Sequence, residues 1–192
     1  MPRTLDELTW PIVTERLSLR RATDDDAAAF WRYRRLPDVA EWLPLLTDDW
    51  EEFRTYITKA DRLARTLVVE RDGTVIGDLM LRLEDAWAQH EVADRAQQAQ
   101  AELGWALDPA HHGHGYATEA VRALLRVCFA DLGLRRVEAQ CFADNAPSWR
   151  LMERVGMRRE SHTVADSLHR SGAWLDGLGY AMLAQEWRTA NG

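Results

Sequence analysis

The stretch AELGWALDPAHHGHGYATEA, residues 101–120, constrains this chain more than any other. A strand-like run stops at Asp108 and Pro109, because proline has no N–H to give a sheet ladder. Gly113 and Gly115 follow, and then YATEAVRALLRVCFADLG reads as an amphipathic helix stopped at Gly133. Its inward stripe is predicted to be Ala120, Val121, Leu124, Leu125, Cys128, Phe129 and Leu132. A strand led through glycines directly into a helix aims backbone N–H groups at one point, where the helix dipole favours an anion. It also commits the chain to an architecture that layers helices on a sheet.

His111, His112 and His114 raise a metal reading, but side chains on so short a loop do not converge, and neither an HExxH pattern nor a carboxylate at helical spacing accompanies them. No metal is expected. The glycines fit neither GxxxxGK[ST] nor a complete GxGxxG with a later ribose-binding acid, so nucleoside triphosphates and dinucleotides are disfavoured. By these residues alone, a phosphate cradle and a plain strand-to-helix turn both remain open.

The flanking sequence fills in the fold. Arg16 to Ala22 alternates as a half-buried strand, and Thr23 or Asp24 caps a helix running to Pro37. Thr47 to Leu67 reads as one helix, with Trp50, Phe53, Ile57 and Leu63 on its apolar side. TLVVE and TVIGDLMLRLE flank Asp72-Gly73, a tight-hairpin signal. Residues 85–100 are polar and alanine-rich, and are read as a variable loop, short helix or lid. A strand in RRVEAQCFA, a helix in NAPSWRLMERV closed by Gly156, and two strands joined by Ser-Gly complete the order β, α, α, β, β, β, α, β, α, β, β. No repeat interrupts it, and 192 residues suit a single domain over 1–192.

With 31 acidic against 24 basic side chains the formal charge is −7, which disfavours sequence-independent attachment to nucleic acid or anionic membrane and suits a cationic partner. The N-terminal stretch lacks the apolar core of a signal peptide or a membrane span, and the two cysteines make no metal or disulfide pattern, so a cytoplasmic protein is expected. The nine tryptophans are read as core or packing residues.

TERLSLRRATDDD, VIGDLML, AELGWALDPAHHGHGYATEA, NAPSWRLMERVGMRRE and GYAMLAQEW together resemble the GNAT superfamily of acyl-CoA-dependent N-acyltransferases, in the branch similar to ribosomal-protein N-terminal acetyltransferases. The resemblance implies an α/β fold of mixed α+β character: a central twisted, mostly antiparallel mixed sheet of about six to seven strands flanked by about four helices, splayed between strands 4 and 5. It implies that the loop grips the coenzyme A pyrophosphate through the backbone of His112, Gly113, His114, Gly115, Tyr116, Ala117 and Thr118, with Ala110 where the family usually carries Gln or Arg. Main-chain groups of Trp105, Ala106 and Leu107 are expected to receive the thioester and pantetheine.

Acyl transfer to an amine needs a neutral nitrogen, stabilisation of the oxyanion and a proton for the departing thiolate. The resemblance assigns the base to Glu102, with Asp78 as substitute, against the simpler reading of Glu102 as a salt-bridged or solvated strand residue. The tyrosine acid common in the superfamily would fall at Met152, which cannot donate a proton, whereas Ser148, three residues after Asn145, matches the branch's thiolate contact. Asn145 is expected to hold the pantetheine or cap its helix. The implied activity is transfer of an acetyl group from acetyl-CoA to a primary amine, a protein N-terminus or a small molecule, by direct attack in a ternary complex. Another donor such as succinyl-CoA, or a non-catalytic acyl-CoA-binding module, are the alternatives. Relatives are often dimers, so a homodimer is also an expectation.

Overall fold

The computed structural model describes residues 4–192. In chain order, β1 (Ile12–Val13) and β2 (Ser18–Arg21) precede α1 (Ala27–Arg34), α2 (Pro37–Ala40), α3 (Trp50–Ile57) and α4 (Ala60–Leu63). The hairpin β3 (Thr66–Arg71) and β4 (Thr74–Glu84) leads to β5 (Gln100–Leu107), α5 (Tyr116–Arg126) and β6 (Arg136–Phe142). Then come α6 (Ala146–Arg154), β7 (Arg158–Leu168), β8 (Trp174–Leu183) and α7 (Ala184–Asn191). The eight strands form one mixed sheet ordered β1-β2-β3-β4-β5-β6-β8-β7, one strand more than the upper end of the expected range. β5 pairs with β6 in parallel, while β1/β2, β2/β3, β3/β4, β6/β8 and β7/β8 are antiparallel.

Two compact units share this sheet. The first comprises Thr9–Leu81 and Gly104–Val121. Here Thr23 and Asp26 make a reciprocal capping box ahead of α1, and Asp26 also takes both outer nitrogens of Arg20, at 2.8 and 2.7 Å. The inner faces of α1 and α3 bury Phe30, Tyr33, Phe53 and Ile57 against Val68 and Ala106. The Asp72-Gly73 turn has φ of 50° and 74°, the positive values its sequence requires. The single helix read over Thr47–Leu67 is broken instead: Thr58 bonds back to the Arg54 carbonyl at 2.8 Å, Lys59 turns extended, and Thr66 already belongs to β3.

The second unit comprises the described part of Met1–Leu8, Arg82–Leu103 and Arg122–Gly192. β5 and β6 pair only from Gln100↔Arg136 to Glu102↔Glu138, although the strands run on to Leu107 and Phe142. This is the splay that the resemblance implies. Within residues 85–100 a 3-10 helix spans His90–Arg95, and the segment is held by the Gln98 N–H on Asp85 at 2.8 Å. Gly156, at φ 92°, ends α6 as expected.

All seven predicted stripe residues of the α5 stretch are buried, although its last turn, Val127–Asp131, is π-helical. The tryptophans pack around the core rather than inside it: none is fully buried, Trp31 and Trp50 pack against the buried residues of α1 and α3, and only Trp87 and Trp174, largely exposed, depart from the core-or-packing expectation. Their polar indole edges favour partly wet positions around the core.

Candidate active site

In the first unit the Asp108 carboxylate accepts the Ala110 N–H at 3.0 Å, turning the chain through a short 3-10 helix, Pro109–His111, as soon as β5 ends. Gly113 and Gly115 then adopt φ of 78° and 80°. A side chain at either position is strained, which is the reason for glycine here. Among the described residues neither glycine N–H donates to a backbone carbonyl, and α5 begins at the next residue, Tyr116. The loop therefore presents free donors and a positive helix end together, an arrangement suited to an anion.

The histidines brace this loop. His112 Nε2 donates to the Leu107 carbonyl at 3.1 Å and His114 Nδ1 to the His112 carbonyl at 2.7 Å, roles fixed because a carbonyl only accepts. Consequently the Leu107 carbonyl, one of the main-chain groups expected to face the donor, is already occupied. The His114 ring stacks on Tyr116, with centroids 5.5 Å apart. Tyr116 and Thr118 are buried, and Ala117 is half-buried. Ala106 is buried, and a Cβ on Gly77 of β4 would meet its carbonyl at 2.6 Å, so Gly77 is required for the β4–β5 approach.

Arg16 and Glu119 were not singled out by sequence. The Arg16 guanidinium donates to Glu119 through Nε at 2.7 Å and to the His114 carbonyl at 3.0 Å. Glu119 also accepts from the Thr14 hydroxyl at 2.6 Å and the Arg16 N–H at 2.9 Å. Partial burial alone would push this carboxyl upward, but the bonds from Thr14 and Arg16 outweigh it and hold Glu119 below the usual carboxylate range. Arg16 and Arg71 both lie over the Tyr116 ring, at 4.8 and 5.0 Å.

Asp78, the substitute base, is 3% exposed and accepts from Arg34 at 2.9 and 2.7 Å and from the Tyr33 hydroxyl at 2.5 Å. Both oxygens are engaged inside the core, which suits a structural tie rather than proton transfer with an acceptor.

In the second unit Glu102 is half-buried and ion-paired with Arg82, which also reaches Glu84 at 2.7 Å. Asn145 caps α6, its side chain accepting the Ser148 N–H at 3.3 Å. Burial pushes the Cys141 thiol up to about 11, with the neighbouring Ser148 hydroxyl and the Trp149 backbone offsetting part of the rise. Cys128 is wholly buried and its thiol is pushed far up, so neither cysteine is poised as a thiolate nucleophile. Met152 is fully buried. Among the described residues no group of three or more His, Cys, Asp or Glu is arranged to hold a metal ion, and no helix is long and apolar enough to cross a membrane.

The chain is similar to known proteins in sequence and fold. The acetyltransferase (GNAT) domain family matches residues 16–158. An uncharacterized N-acetyltransferase of Bacillus subtilis, YnaD, is 30% identical over 179 residues, covering 92% of this chain and 98% of its own. The crystal structure of a GNAT-family acetyltransferase from Bacillus anthracis superposes with a TM-score of 0.77 at 29% identity, covering 92% of this chain and 99% of its own. Mycobacterium smegmatis RimJ, solved in complex with CoA-disulfide, matches with a TM-score of 0.67 at 26% identity over 91% of this chain and 89% of its own. With its glycine turn, its splayed strands and these relatives, the chain belongs to the GNAT acetyltransferases, in their RimJ/RimL-like branch, and is an enzyme of acetyl transfer to amines.

Proposed function

We propose that residues 1–192 act as one acyltransferase domain that moves an acetyl group from acetyl-CoA to a primary amine, a protein N-terminus or a small-molecule amine, by direct attack. The observation that carries the donor assignment is the pair of positive-φ glycines, Gly113 and Gly115, whose free N–H groups open onto the start of α5. The RimJ relative solved with CoA-disulfide supports the same reading. Direct attack is supported by the two cysteines, which burial keeps protonated.

Within this reading the backbone around Gly113 to Thr118 holds the pyrophosphate, and the main chain of Trp105 and Ala106 lies along the pantetheine. Glu102 accepts the amine's proton. Its partner Arg82 has a second carboxylate in Glu84, so an incoming ammonium can replace the guanidinium without leaving it unpaired. Ser148 hydrogen-bonds the departing thiolate, and Asn145 keeps its helix start in place. The acidic net charge agrees with a cationic acceptor.

An amine-acceptor screen that detects released CoA, run with acetyl-CoA and succinyl-CoA, tests the proposal. Turnover with acetyl-CoA is expected; preference for succinyl-CoA would replace the donor, and donor binding without turnover on a broad amine panel would make the chain a binding module. Glu102→Gln and Ser148→Ala should each lower kcat by about 10²-fold or more while keeping CoA affinity. Unchanged rates would remove those roles.

A further inference from the structure

We infer that Arg16 is a positioning residue for donor binding: by holding the His114 carbonyl while locked to Glu119, it aims the Gly115 N–H at the donor's phosphate. The inference rests on the acyl-CoA reading of the loop and extends it to a residue from the segment between β1 and β2.

The argument is one of peptide geometry. In a trans peptide the C=O and N–H point in opposite directions across the plane. The peptide joining His114 to Gly115 has its carbonyl on Arg16 Nη1, at 3.0 Å. The peptide joining His112 to Gly113 has its carbonyl on His114 Nδ1, at 2.7 Å. Each glycine N–H is therefore directed away from the side chain that holds its carbonyl. Both glycines have φ near +80° and wide intrinsic freedom, so these two ties select one orientation from many.

Arg16 is itself immobilised. Nε and Nη2 both reach Glu119 Oε2, at 2.7 and 2.6 Å, and the Arg16 N–H reaches Oε1 at 2.9 Å. Its guanidinium lies over Tyr116, on which the His114 ring also stacks. The pairing has an electrostatic effect as well. Glu119 is in the first turn of α5, where an unpaired carboxylate would oppose an arriving phosphate, and Arg16 neutralises it. Ala110 offers no side chain to an anion; a rigid backbone cradle meets that need instead.

The test compares two ligands, CoA and S-acetylpantetheine, which lacks the pyrophosphate. Calorimetric titration of Arg16→Ala should show CoA binding weakened by about tenfold, the effect of one misaligned charge-assisted hydrogen bond. S-acetylpantetheine binding should stay within about twofold, so the ratio of the two affinities falls, which a general loss of structure would not produce. Arg16→Lys keeps the charge but not the fork, and should recover only part of the loss. Equal CoA affinity in wild type and Arg16→Ala overturns the inference, as does equal weakening of both ligands. If the wild type binds no CoA, the acyl-CoA reading itself fails. Should Arg16→Ala not fold, Arg16→Gln, which keeps a long polar side chain without the guanidinium, takes its place in the same comparison; unchanged CoA affinity there would equally overturn the inference.

Discussion

Replacing Gly115 by alanine separates the loop's role in folding from its role in binding. At φ 80° an alanine Cβ would have Arg16 Nη2 as its nearest neighbour, at 3.6 Å, an ordinary van der Waals contact. The cost is therefore conformational rather than steric crowding, about 1–2 kcal/mol for an L residue in the left-handed region. For a chain of this length that lowers Tm by about 2–8 °C. The backbone can relieve the strain only by rotating the 114–115 peptide, and this withdraws the Gly115 N–H from the anion. Losing one hydrogen bond to a charged group costs about 1.5–3 kcal/mol, roughly 10- to 150-fold in CoA affinity. Gly73 provides the control. It has φ 74° and open space around it in the β3–β4 turn, so Gly73→Ala should cost similar stability and leave CoA binding intact. Thermal melts and CoA titrations of both variants give the comparison. If the two bind CoA within about twofold of each other, the cradle assignment is refuted.

Two further outcomes follow from the charged groups. Asp78→Ala leaves the Arg34 guanidinium buried without its carboxylate and should destabilise by about 3–5 kcal/mol in urea unfolding, whereas Tyr33→Phe should cost only about 1 kcal/mol; equal losses would contradict the pairing described. Glu119 has a folded-state pKa below the ordinary 4.5, so its contribution to stability is present above about pH 4.5 and is lost as pH falls through the folded value. The stability difference between wild type and Glu119→Gln should therefore be largest near neutrality and shrink below pH 4.5. A difference that is flat with pH would count against the Thr14 and Arg16 bonds.

Elements written in local chemistry were legible in the sequence. The Asp72-Gly73 turn, the Thr23 cap, the Gly156 stop and the seven-residue stripe of the α5 stretch each depend on neighbours a few positions away. β1 has two residues and no periodicity to detect. α7 follows β8 without a turn residue between them, its first turn held by Glu186 accepting the Leu183 N–H at 2.7 Å. The break at Thr58 and Lys59 is hidden because neither residue is a strong helix breaker. Within the site, glycine spacing revealed the loop, but its braces did not show: Arg82 meets Glu102 only through strand pairing, and Arg16 meets Glu119 from 103 positions away. His112 and His114, whose spacing raises only a metal reading, tie down the Leu107 and His112 carbonyls.

The distance in sequence between Thr14 or Arg16 and Glu119, 105 and 103 positions, has a kinetic meaning. Local contacts form early and long loops close late, since the closure entropy must be met before the contact rewards it. The glycine turn, with its local His114 tie to the His112 carbonyl, needs only nearby residues, but the restraint on the His114 carbonyl arrives only when the segment before β2 docks. Competence to hold a donor is thus acquired late in folding. By linkage, a bound donor in turn favours the docked state of that early segment, so protease cleavage around Thr14 to Arg16 should slow as CoA is added.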